Sequence, residues 1–327
     1  MLLLTGAAGF IGSNLLARLN ESGVTDVVLC DVLGTAGKWQ NLRKHEFSDF
    51  VPIEALRDWL PTAPELEAVI HLGANSDTTA TDGDEVMDHN FGHSLMLWRH
   101  CTEAGIPFIY ASSAATYGNG DSGFIDGDTP EFLAGLKPLN LYGWSKHVFD
   151  RRVAREVEQG RRTPSRWYGL KFFNVYGPNE YHKAHMRSGV FNVTTTVLRG
   201  EPARLFASDR ADYPDGGQSR DFVYVDDICD IILWLLRSTA ASGLYNLGSS
   251  KARSWADLAR TVFAALGREP NIEFIPMPEN LRGRYQYWTE ADMSKLRRAG
   301  YNAPLTSLEE GVTRYVTQYL ASEDQYR

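Results

Sequence analysis

The first fourteen residues, MLLLTGAAGFIGSN, constrain the fold more than any other stretch of the chain. A short apolar run is followed by Gly6, Gly9 and Gly12 and then by leucines at helical spacing. In a strand–turn–helix dinucleotide site, the first glycine permits a tight turn, the second lets backbone approach a pyrophosphate, and the third lets the helix pack closely on the strand. The N–H groups and the positive dipole end of that helix then bind phosphate. The stretch therefore predicts a buried strand, a phosphate-binding turn and a helix.

Three glycines alone also fit a loop that binds nothing, so the neighbouring residues matter. Val27 to Cys30 form a second apolar run, and Asp31 follows it about twenty residues after the glycines, where a ribose-binding acid is expected. A glycine-containing loop then leads to Lys38, which could reach a 2′-phosphate on the adenosine ribose. Asp31 favours NAD and Lys38 favours NADP, so charge alone leaves the cofactor open.

Composition limits the possible partners and compartment. The 327 residues carry a net charge of −8, which argues against a surface that tracks nucleic-acid phosphates. The most apolar run, Ile231 to Leu236, is far shorter than a membrane span, and the chain starts with a strand pattern instead of a signal peptide. The three cysteines are far apart, which fits a reducing compartment. We therefore expect a cytoplasmic protein with no nucleic-acid or membrane partner.

Two later apolar runs end in residues suited to a ligand pocket. The run from Ala68 ends in Gly73 and Ala74, and the run from Pro107 ends in Ser112 and Ser113. The carboxyl ends of parallel strands meet at one edge of a sheet, where ligands bind. These small and polar residues are therefore expected to line one crevice.

A helical pattern that begins near Tyr142 carries the expected chemistry. Tyr142 and Lys146 are at i,i+4, so they lie on one helix face. A phenol with a pKa near 10 is a poor base at neutral pH, but a nearby ammonium favours the phenolate. With Ser113 bound to the reacting oxygen, such a pair can remove a proton from an alcohol while hydride passes to a nicotinamide. An exposed helix pair would show the same spacing, so the argument depends on the serine and the glycine turn together.

Four further motifs make the chain similar to the extended short-chain dehydrogenase/reductases: SSAATYG at 112–118, NVYGP at 174–178, RDFVYVDD at 220–227 and NLG at 246–248. The resemblance implies an α/β fold, with a Rossmann-type doubly wound parallel sheet and a smaller α/β substrate-binding domain. It implies that residues 1–173 and 220–244 form the cofactor domain, and that 174–219 and 245–327 form the substrate domain.

Within that family the chain resembles the ADP-heptose 6-epimerases. The resemblance lies in the stretch from Asp31 to Lys38, in ANSDTTATDG at 74–83, in YGPNEYHK at 176–183 and in LRGRYQ at 281–286. It implies one tightly bound NADP per subunit, with Lys38 on the 2′-phosphate, and an ADP-heptose substrate for lipopolysaccharide core biosynthesis. It also implies a homo-oligomer.

The reaction implied by the resemblance is redox-neutral. C6 of the heptose is oxidised to a ketone and re-reduced on the opposite face, which suggests two acid/base residues. Tyr142 would serve one face and Lys183 the other, although His182 is an alternative to Lys183. A ketone also requires the pocket to exclude water.

The resemblance implies the following contacts. The cofactor site comprises Gly6, Gly9, Phe10, Ile11, Gly12, Asp31, Val32, Lys38, Leu72, Gly73, Ala74, Asn75, Ser76, Asn90, Tyr142, Lys146, Val175 and Lys183. The substrate site comprises Ser113, Asn174, His185, Asn192, Phe206, Ala207, Ser208, Asp209, Arg220 and Tyr285. Arg220 could clamp a diphosphate, although Asp221 or Asp226 could instead neutralise it. His89 and His93 have no evident third ligand, so no metal site is expected.

Three other functions compete with this interpretation. A UDP-hexose 4-epimerase uses the same serine, tyrosine and lysine with NAD, but usually lacks a counterpart to Lys183. A 4,6-dehydratase needs an acid pair where this chain has Ala114 and Ala115, and alanines cannot move protons. A non-catalytic NADP-binding scaffold would not need the intact tyrosine–lysine pair.

Overall fold

The computed structural model of the protein describes residues 1–279, 282 and 285–327. Its strands are β1 (Leu2–Thr5), β2 (Val27–Asp31), β3 (Asp49–Pro52), β4 (Ala68–His71), β5 (Phe108–Ser113), β6 (Trp167–Phe172), β7 (Asn174–Tyr176), β8 (Ala203–Phe206), β9 (Ser219–Tyr224), β10 (Gly243–Leu247), β11 (Ala252–Ser254) and β12 (Ile272–Ile275). Its α-helices are α1 (Phe10–Glu21), α2 (Leu56–Trp59), α3 (Gly83–Met87), α4 (His93–Ala104), α5 (Pro130–Ala134), α6 (Leu141–Glu158), α7 (Gly189–Leu198), α8 (Val225–Arg237), α9 (Trp255–Ala265), α10 (Ser294–Arg298) and α11 (Leu308–Tyr315).

Seven parallel strands form one sheet in the order β10-β6-β5-β4-β1-β2-β3. The chain winds from β1 towards β3 and then from β4 towards β10, so the direction of winding reverses between β1 and β4. Strands β1, β4 and β10 are buried along their whole length, as expected for a parallel sheet covered on both faces. The predicted doubly wound α/β fold is confirmed. The reversal of strand order forms a crevice at the carboxyl edge of the sheet.

The glycine turn between β1 and α1 requires its glycines. Gly6 has a φ of +69°, and a Cβ there would lie 2.5 Å from the backbone nitrogen of Gly73. A Cβ on Gly12 would lie 2.1 Å from the carbonyl oxygen of Gly6. Side chains at these positions would push α1 away from β1 and β4, as the sequence predicted.

A second group of elements packs on its own core. Strands β7, β9 and β11 form a three-stranded sheet, and β8 pairs with β12. Helices α7, α9 and α11 cover them through a second hydrophobic cluster that includes Phe191, Phe222, Leu258 and Val312. The late segment around Met293 and Leu296 packs instead with the core of the large sheet. The chain thus passes between the two units several times. The domain division given above stays a prediction.

Several elements match the sequence patterns, with local differences. A π-helical segment, Asp88–Gly92, lies between α3 and α4. The polar stretch 179–187 contains the 3₁₀ segment Tyr181–Met186. The three cysteines are buried and free. Within the described ranges, no helix is both long enough and apolar enough to cross a bilayer.

Candidate active site

A cleft of about 840 Å³ opens at the carboxyl edge of the large sheet. Most of the site residues expected from the sequence line it: Gly6, Gly9, Phe10, Ile11, Gly12, Asp31, Lys38, Leu72, Gly73, Ala74, Asn75, Ser76, Ser113, Tyr142, Lys146, Asn174, Val175, Lys183, His185 and Arg220. The fold therefore brings the glycine turn, the tyrosine–lysine pair and the Tyr181–Met186 segment around one cavity.

The start of α1 suits a pyrophosphate. Gly9 occupies the N-cap position, and no side chain caps the helix. Phe10, Ile11 and Gly12, whose N–H groups begin the helix, line the cleft. Uncapped N–H groups at a helix N-terminus form an anion site, and the absence of a Cβ at Gly9 leaves room for the ligand. These residues fit the phosphates of a dinucleotide.

The acid and the cation at the end of β2 bind each other. Asp31 accepts hydrogen bonds from the backbone N–H of Ala8 at 2.8 Å and of Val32 at 2.7 Å, and its Oδ1 lies 2.5 Å from Nζ of Lys38. Lys38 also donates to the carbonyl oxygen of Val32 at 2.7 Å. Both side chains line the cleft, so a ribose placed there would meet a neutral pair of opposite charges.

Helix α6 presents Tyr142 and Lys146 to the cleft. Asn140 caps the helix by accepting a hydrogen bond from the N–H of Gly143 at 2.8 Å, which fixes where the helix begins. A Cβ on Gly143 would lie 2.8 Å from the carbonyl oxygen of Ala115, so glycine there lets the helix approach the turn that follows Ser113. The i,i+4 spacing then places both functional side chains in the same cavity.

Burial dominates the protonation of this pair. Burial raises the pKa of Tyr142, and the hydrogen bond with Ser113 opposes that rise. Burial lowers the pKa of Lys146 to about 8, and the charge of Asp150 opposes that shift. The hydrogen bond with Ser113 thus acts in favour of the phenolate, and the contribution of Lys146 to its stabilisation stays a prediction. A lysine with a pKa near 8 can exchange a proton close to neutral pH.

A buried polar cluster lies behind the tyrosine–lysine pair, and no spacing pattern along the chain indicates it. Asp150, one turn after Lys146, binds Nζ of Lys171 at 2.7 Å, and neither side chain is exposed to solvent. The same carboxylate accepts hydrogen bonds from Tyr110 at 3.0 Å and Ser112 at 2.7 Å. The cluster fixes α6 against β5 and β6.

The segment Tyr181–Met186 brings Lys183 into the cleft. Nζ of Lys183 lies 5.4 Å from the ring centroid of Phe10, at the start of α1. Burial lowers the pKa of Lys183, and the charge of Glu180 opposes the shift. His182 also lines the cleft, with Nδ1 3.3 Å from Nδ2 of Asn41. Its pKa is lowered to about 4, first by burial and then by the charge of Lys38, so His182 is neutral near pH 7.

Arg220 supplies a further cation to the lining of the cleft. It is only 8% exposed, it donates to the carbonyl oxygen of Ser219 at 2.9 Å, and its Cζ lies 5.0 Å from the ring centroid of Tyr285. Asp221 is engaged with the N–H groups of Ser249, Ser250 and Ala291, and Asp226 binds Arg327. Within the described part of the chain, no carboxylate pairs with Arg220, so the two neutralising partners considered from the sequence do not neutralise it.

The remaining expected residues lie outside the lining of the cleft. Asn90 is buried behind it, accepting from the N–H of Asn75 at 2.8 Å and donating to Ser145 at 2.9 Å. Asn192 is exposed on α7, and Val32 is exposed after β2. The ring of Phe206 packs edge-on against that of Tyr285 at 6.0 Å. Ala207, Ser208 and Asp209 continue from Phe206 in the loop after β8, where Ser208 and Asp209 bond to the hydroxyl of Tyr287. Of the motif at 281–286, only residues 282, 285 and 286 lie within the described residues.

The lining of the cleft also includes residues outside the sites named from the sequence: Asp77, Thr78, Met186, Phe222, Trp255, Gln286 and Thr289. Two of them join opposite walls of the cleft, because Asp77 Oδ1 lies 3.4 Å from His185 Nε2 and Thr78 Oγ1 lies 3.6 Å from Met186 Sδ. Gln286 donates to the carbonyl oxygen of Gly118 at 2.8 Å. The sequence indicates the first two, since the polar loop that contains them follows a strand at the ligand-binding edge of the sheet.

Comparison with known proteins agrees with this geometry. A profile of the NAD dependent epimerase/dehydratase family matches residues 2–248. The chain is 47% identical over 335 residues, covering 100% of both chains, to an ADP-L-glycero-D-manno-heptose-6-epimerase of Fusobacterium nucleatum. The crystal structure of the Helicobacter pylori ADP-L-glycero-D-manno-heptose-6-epimerase superposes with a TM-score of 0.80 at 27% identity, over 97% of this chain and 95% of that one. The UDP-glucose 4-epimerase of Thermotoga maritima, solved with UDP-glucose, gives a TM-score of 0.77 at 26% identity, over 96% and 97%. The chain therefore belongs to the NAD dependent epimerase/dehydratase family and, within it, to the ADP-L-glycero-D-manno-heptose-6-epimerases.

Proposed function

We propose that the protein inverts C6 of an ADP-heptose, converting ADP-D-glycero-D-manno-heptose to ADP-L-glycero-D-manno-heptose with NADP as cofactor. The observation that carries the proposal is that two acid/base side chains from different elements, Tyr142 and Lys183, line one cleft. Inversion at C6 presents the C6 oxygen to the site in two orientations, and two acid/base side chains in one cleft can each serve one of them.

The chain's own residues then divide the proton transfers. A bound nicotinamide would supply the hydride acceptor and donor. Tyr142 exchanges the proton of the C6 oxygen in one orientation, and Ser113, which lines the same cleft, holds that oxygen. Lys146, with a pKa of about 8, supplies and receives the proton that Tyr142 exchanges. Once the terminal group of the 6-keto sugar has turned, Lys183 serves the opposite face.

Arg220 supports a nucleoside diphosphate as the anchoring part of the substrate. A buried guanidinium without a carboxylate partner retains its capacity for bidentate hydrogen bonds to phosphate oxygens. Its place in the cleft lining, together with Asn174, His185 and Phe222, suits a substrate whose diphosphate lies beyond the sugar. Tyr285, which stacks on Arg220, would keep the guanidinium plane facing that diphosphate.

NADP, tightly bound with one molecule per subunit, is proposed over NAD because Lys38 lies at the adenosine-ribose end of the cleft. His182 and Asn41 lie near it, so the 2′-phosphate would meet polar groups from two segments. We further propose that the enzyme works in the cytoplasm as a homo-oligomer, in lipopolysaccharide core biosynthesis.

A UDP-hexose 4-epimerase is the second candidate, favoured by the likeness to the Thermotoga maritima enzyme over nearly the whole chain. That reaction would use Tyr142, Lys146 and Ser113 in the same way. It would leave Lys183 without a defined role, so the effect of a Lys183 substitution separates the two candidates.

The test is incubation of the purified protein, without added cofactor, with ADP-D-glycero-D-manno-heptose, with the configuration at C6 followed by NMR. UDP-glucose serves as the parallel substrate. We expect inversion at C6 with the heptose, a decrease in rate of about 10²-fold or more in Tyr142→Phe, and a comparable decrease in Lys183→Met. Inversion of UDP-glucose at C4, with the heptose unchanged, would reject the proposal in favour of the second candidate.

A further inference from the structure

We propose that Glu180 is a positioning residue for this reaction, which closes the segment 178–188 so that Lys183 is held at the second face of the reacting carbon. The inference rests on the proposed role of Lys183 as the second acid/base. It adds a residue that touches neither substrate nor cofactor and acts through another side chain.

Glu180 ties together both ends of the segment that carries Lys183. Its side chain is 1% exposed. Its Oε1 accepts a hydrogen bond from the hydroxyl of Ser188 at 2.7 Å and from that of Tyr315, on α11, at 3.0 Å. Its other oxygen accepts from the backbone N–H of Ser188. Ser188 in turn caps α7, since its hydroxyl accepts from the N–H of Phe191 at 3.2 Å. One carboxylate thus joins the segment to two helices.

The conformation inside the segment requires such closure. Ala184, directly after Lys183, has φ 47° and ψ −117°, outside the helical region. A non-glycine residue in a sparsely populated region is strained and persists only where its surroundings impose it. The hydrogen bonds of Glu180 at the two ends of 181–187 supply that constraint, so without them the segment would relax and carry Lys183 with it.

The beginning of the segment is fixed to the cofactor site. Asn14, on α1, donates to the carbonyl oxygen of Pro178 at 2.9 Å, and Asn179 donates to the hydroxyl of Ser13 at 3.1 Å. Asn41 donates to the carbonyl oxygens of Ala8, in the glycine turn, at 2.8 Å and of Asn179 at 3.1 Å. The first turn of α1 and the glycine turn also form the proposed phosphate site. The beginning of the segment is therefore held at a fixed position relative to the cofactor. Glu180 fixes the other end, which sets where Lys183 lies relative to the nicotinamide.

The charge of Glu180 also affects the protonation of Lys183. The negative charge of Glu180 opposes the lowering of the pKa of Lys183 by burial. The charge of Lys183 in return favours the ionised carboxyl of Glu180, and Tyr181 and Tyr315 are the neighbouring titratable groups whose pKa values the charge of Glu180 raises. Removal of the carboxylate would therefore both loosen the segment and favour loss of the proton from Lys183.

The test measures the first oxidation step for each C6 epimer separately, by stopped-flow absorbance of reduced cofactor at 340 nm, in the full-length enzyme with its bound cofactor. Lys183→Met is the reference: it should slow oxidation of one epimer only, and with the other epimer it should let reduced cofactor accumulate. Glu180→Ala should reproduce that asymmetry, with a decrease of the order of 10²-fold for the same epimer, because small misplacements of a catalytic group cost about that much. Glu180→Gln, which keeps an acceptor for the N–H of Ser188, should restore at least a tenth of the wild-type rate.

Tyr315→Phe removes one bond to Glu180 and carries the test if Glu180→Ala fails to fold. It should slow the Lys183-dependent epimer at least threefold, whereas Tyr319→Phe, on the next turn of the same helical segment, should leave both epimers unchanged. If Lys183→Met affects both epimers equally, the proposed role of Lys183 is wrong. Suppose that Lys183→Met slows oxidation of one epimer only. If Glu180→Ala or Tyr315→Phe then slows oxidation of both epimers alike, or of neither epimer, Glu180 has no positioning role.

Discussion

The ammonium of Lys38 lies 2.5 Å from a carboxylate oxygen of Asp31, so the two groups with opposite cofactor preferences are bound to each other. A 2′-phosphate must draw Lys38 away from this carboxylate, and a free 2′-hydroxyl must share the carboxylate with Lys38. Asp31 also stays bound to the N–H groups of Ala8 and Val32, so it cannot move far from the ribose site. The preference between NADP and NAD thus depends on the attraction of Lys38 for a 2′-phosphate and on the opposing effect of the carboxylate of Asp31.

Removing either partner should shift that preference in a defined direction. In Asp31→Asn, Lys38 is freed and a repulsive charge is lost, so the affinity for NADP should rise relative to that for NAD. In Lys38→Ala the ratio should fall by roughly 10- to 100-fold, because a charge-assisted hydrogen bond contributes about 1.5–3 kcal/mol. Calorimetric titration of the cofactor-free protein with each dinucleotide gives the two affinities. As a control, Lys251→Ala, at an exposed position, should leave the ratio of the two affinities unchanged. If the ratio is also unchanged in Lys38→Ala, Lys38 does not belong to the cofactor site.

Arg220 should lower the free energy of unfolding and increase the affinity for the nucleotide sugar. Arg220→Met keeps much of the aliphatic volume and removes a buried charge that has no carboxylate partner among the described residues. We expect the free energy of unfolding to rise by about 1 kcal/mol or more, while KM for the nucleotide sugar rises roughly 10- to 100-fold. Urea unfolding and steady-state kinetics give the two values.

The matched control for Arg220 is Arg260→Met, at an exposed arginine beside Asp257. This variant should change neither KM nor stability by much, because exposed ion pairs contribute little. A loss of stability in Arg220→Met would mean that the guanidinium is held by interactions stronger than its single bond to Ser219.

The sequence allowed the local parts of the site to be predicted and left out the parts that depend on packing. The glycine turn and the pair Tyr142 and Lys146 were recognisable because each is specified by residues a few positions apart. The bonds from Glu180 to Ser188 and Tyr315, and from Asp150 to Lys171, involve partners brought together by the fold, and no spacing rule indicates them. The rise in the pKa of Tyr142 also escaped the sequence, because desolvation depends on what surrounds the ring.

The same distinction explains the differences in the fold. Strands β1, β4 and β5 were predicted because they are uninterrupted apolar runs. Strand β3 has mixed polarity and only one buried residue, so its pattern resembles a loop. The residues after β8 were expected to contact substrate from motif resemblance alone, and they lie outside the lining of the cleft.

Breaking the buried ion pair between Asp150 and Lys171 on one side only should destabilise the protein more than removing both charges. Both side chains are 0% exposed, so Lys171→Met leaves a buried carboxylate without its counter-ion. We expect a loss of about 3–5 kcal/mol in the free energy of unfolding, and a smaller loss when Asp150→Asn is added. Arg199→Met, which breaks the exposed pair with Glu201, should leave the free energy of unfolding almost unchanged in the same urea titration. Equal losses in the single and double variants would show that the carboxylate is satisfied without Lys171.

His147 should make the protein less stable in mild acid. It follows Lys146 on α6, it is 3% exposed, and its Nδ1 has no hydrogen-bond partner among the described residues. Burial lowers its pKa from 6.5 to about 4; the charges of Lys171 and Arg151 act in the same direction, and that of Asp150 opposes them. The unfolded chain therefore binds a proton at this residue between pH 6.5 and 4 that the folded chain does not, so stability falls as the pH falls through this window.

From pH 7 to pH 5, His147 should account for a loss of about 2 kcal/mol, and urea unfolding of wild type and His147→Gln over this range measures it. The variant should show a shallower decline, whatever its stability at pH 7. A residual slope should persist, because His182 also has a pKa lowered to about 4, while Asp227, whose pKa is raised to about 6 by burial, acts in the opposite direction. Parallel pH profiles for the two proteins would mean that His147 gains its proton without unfolding, and the buried ring would then have to reach water through movement of α6.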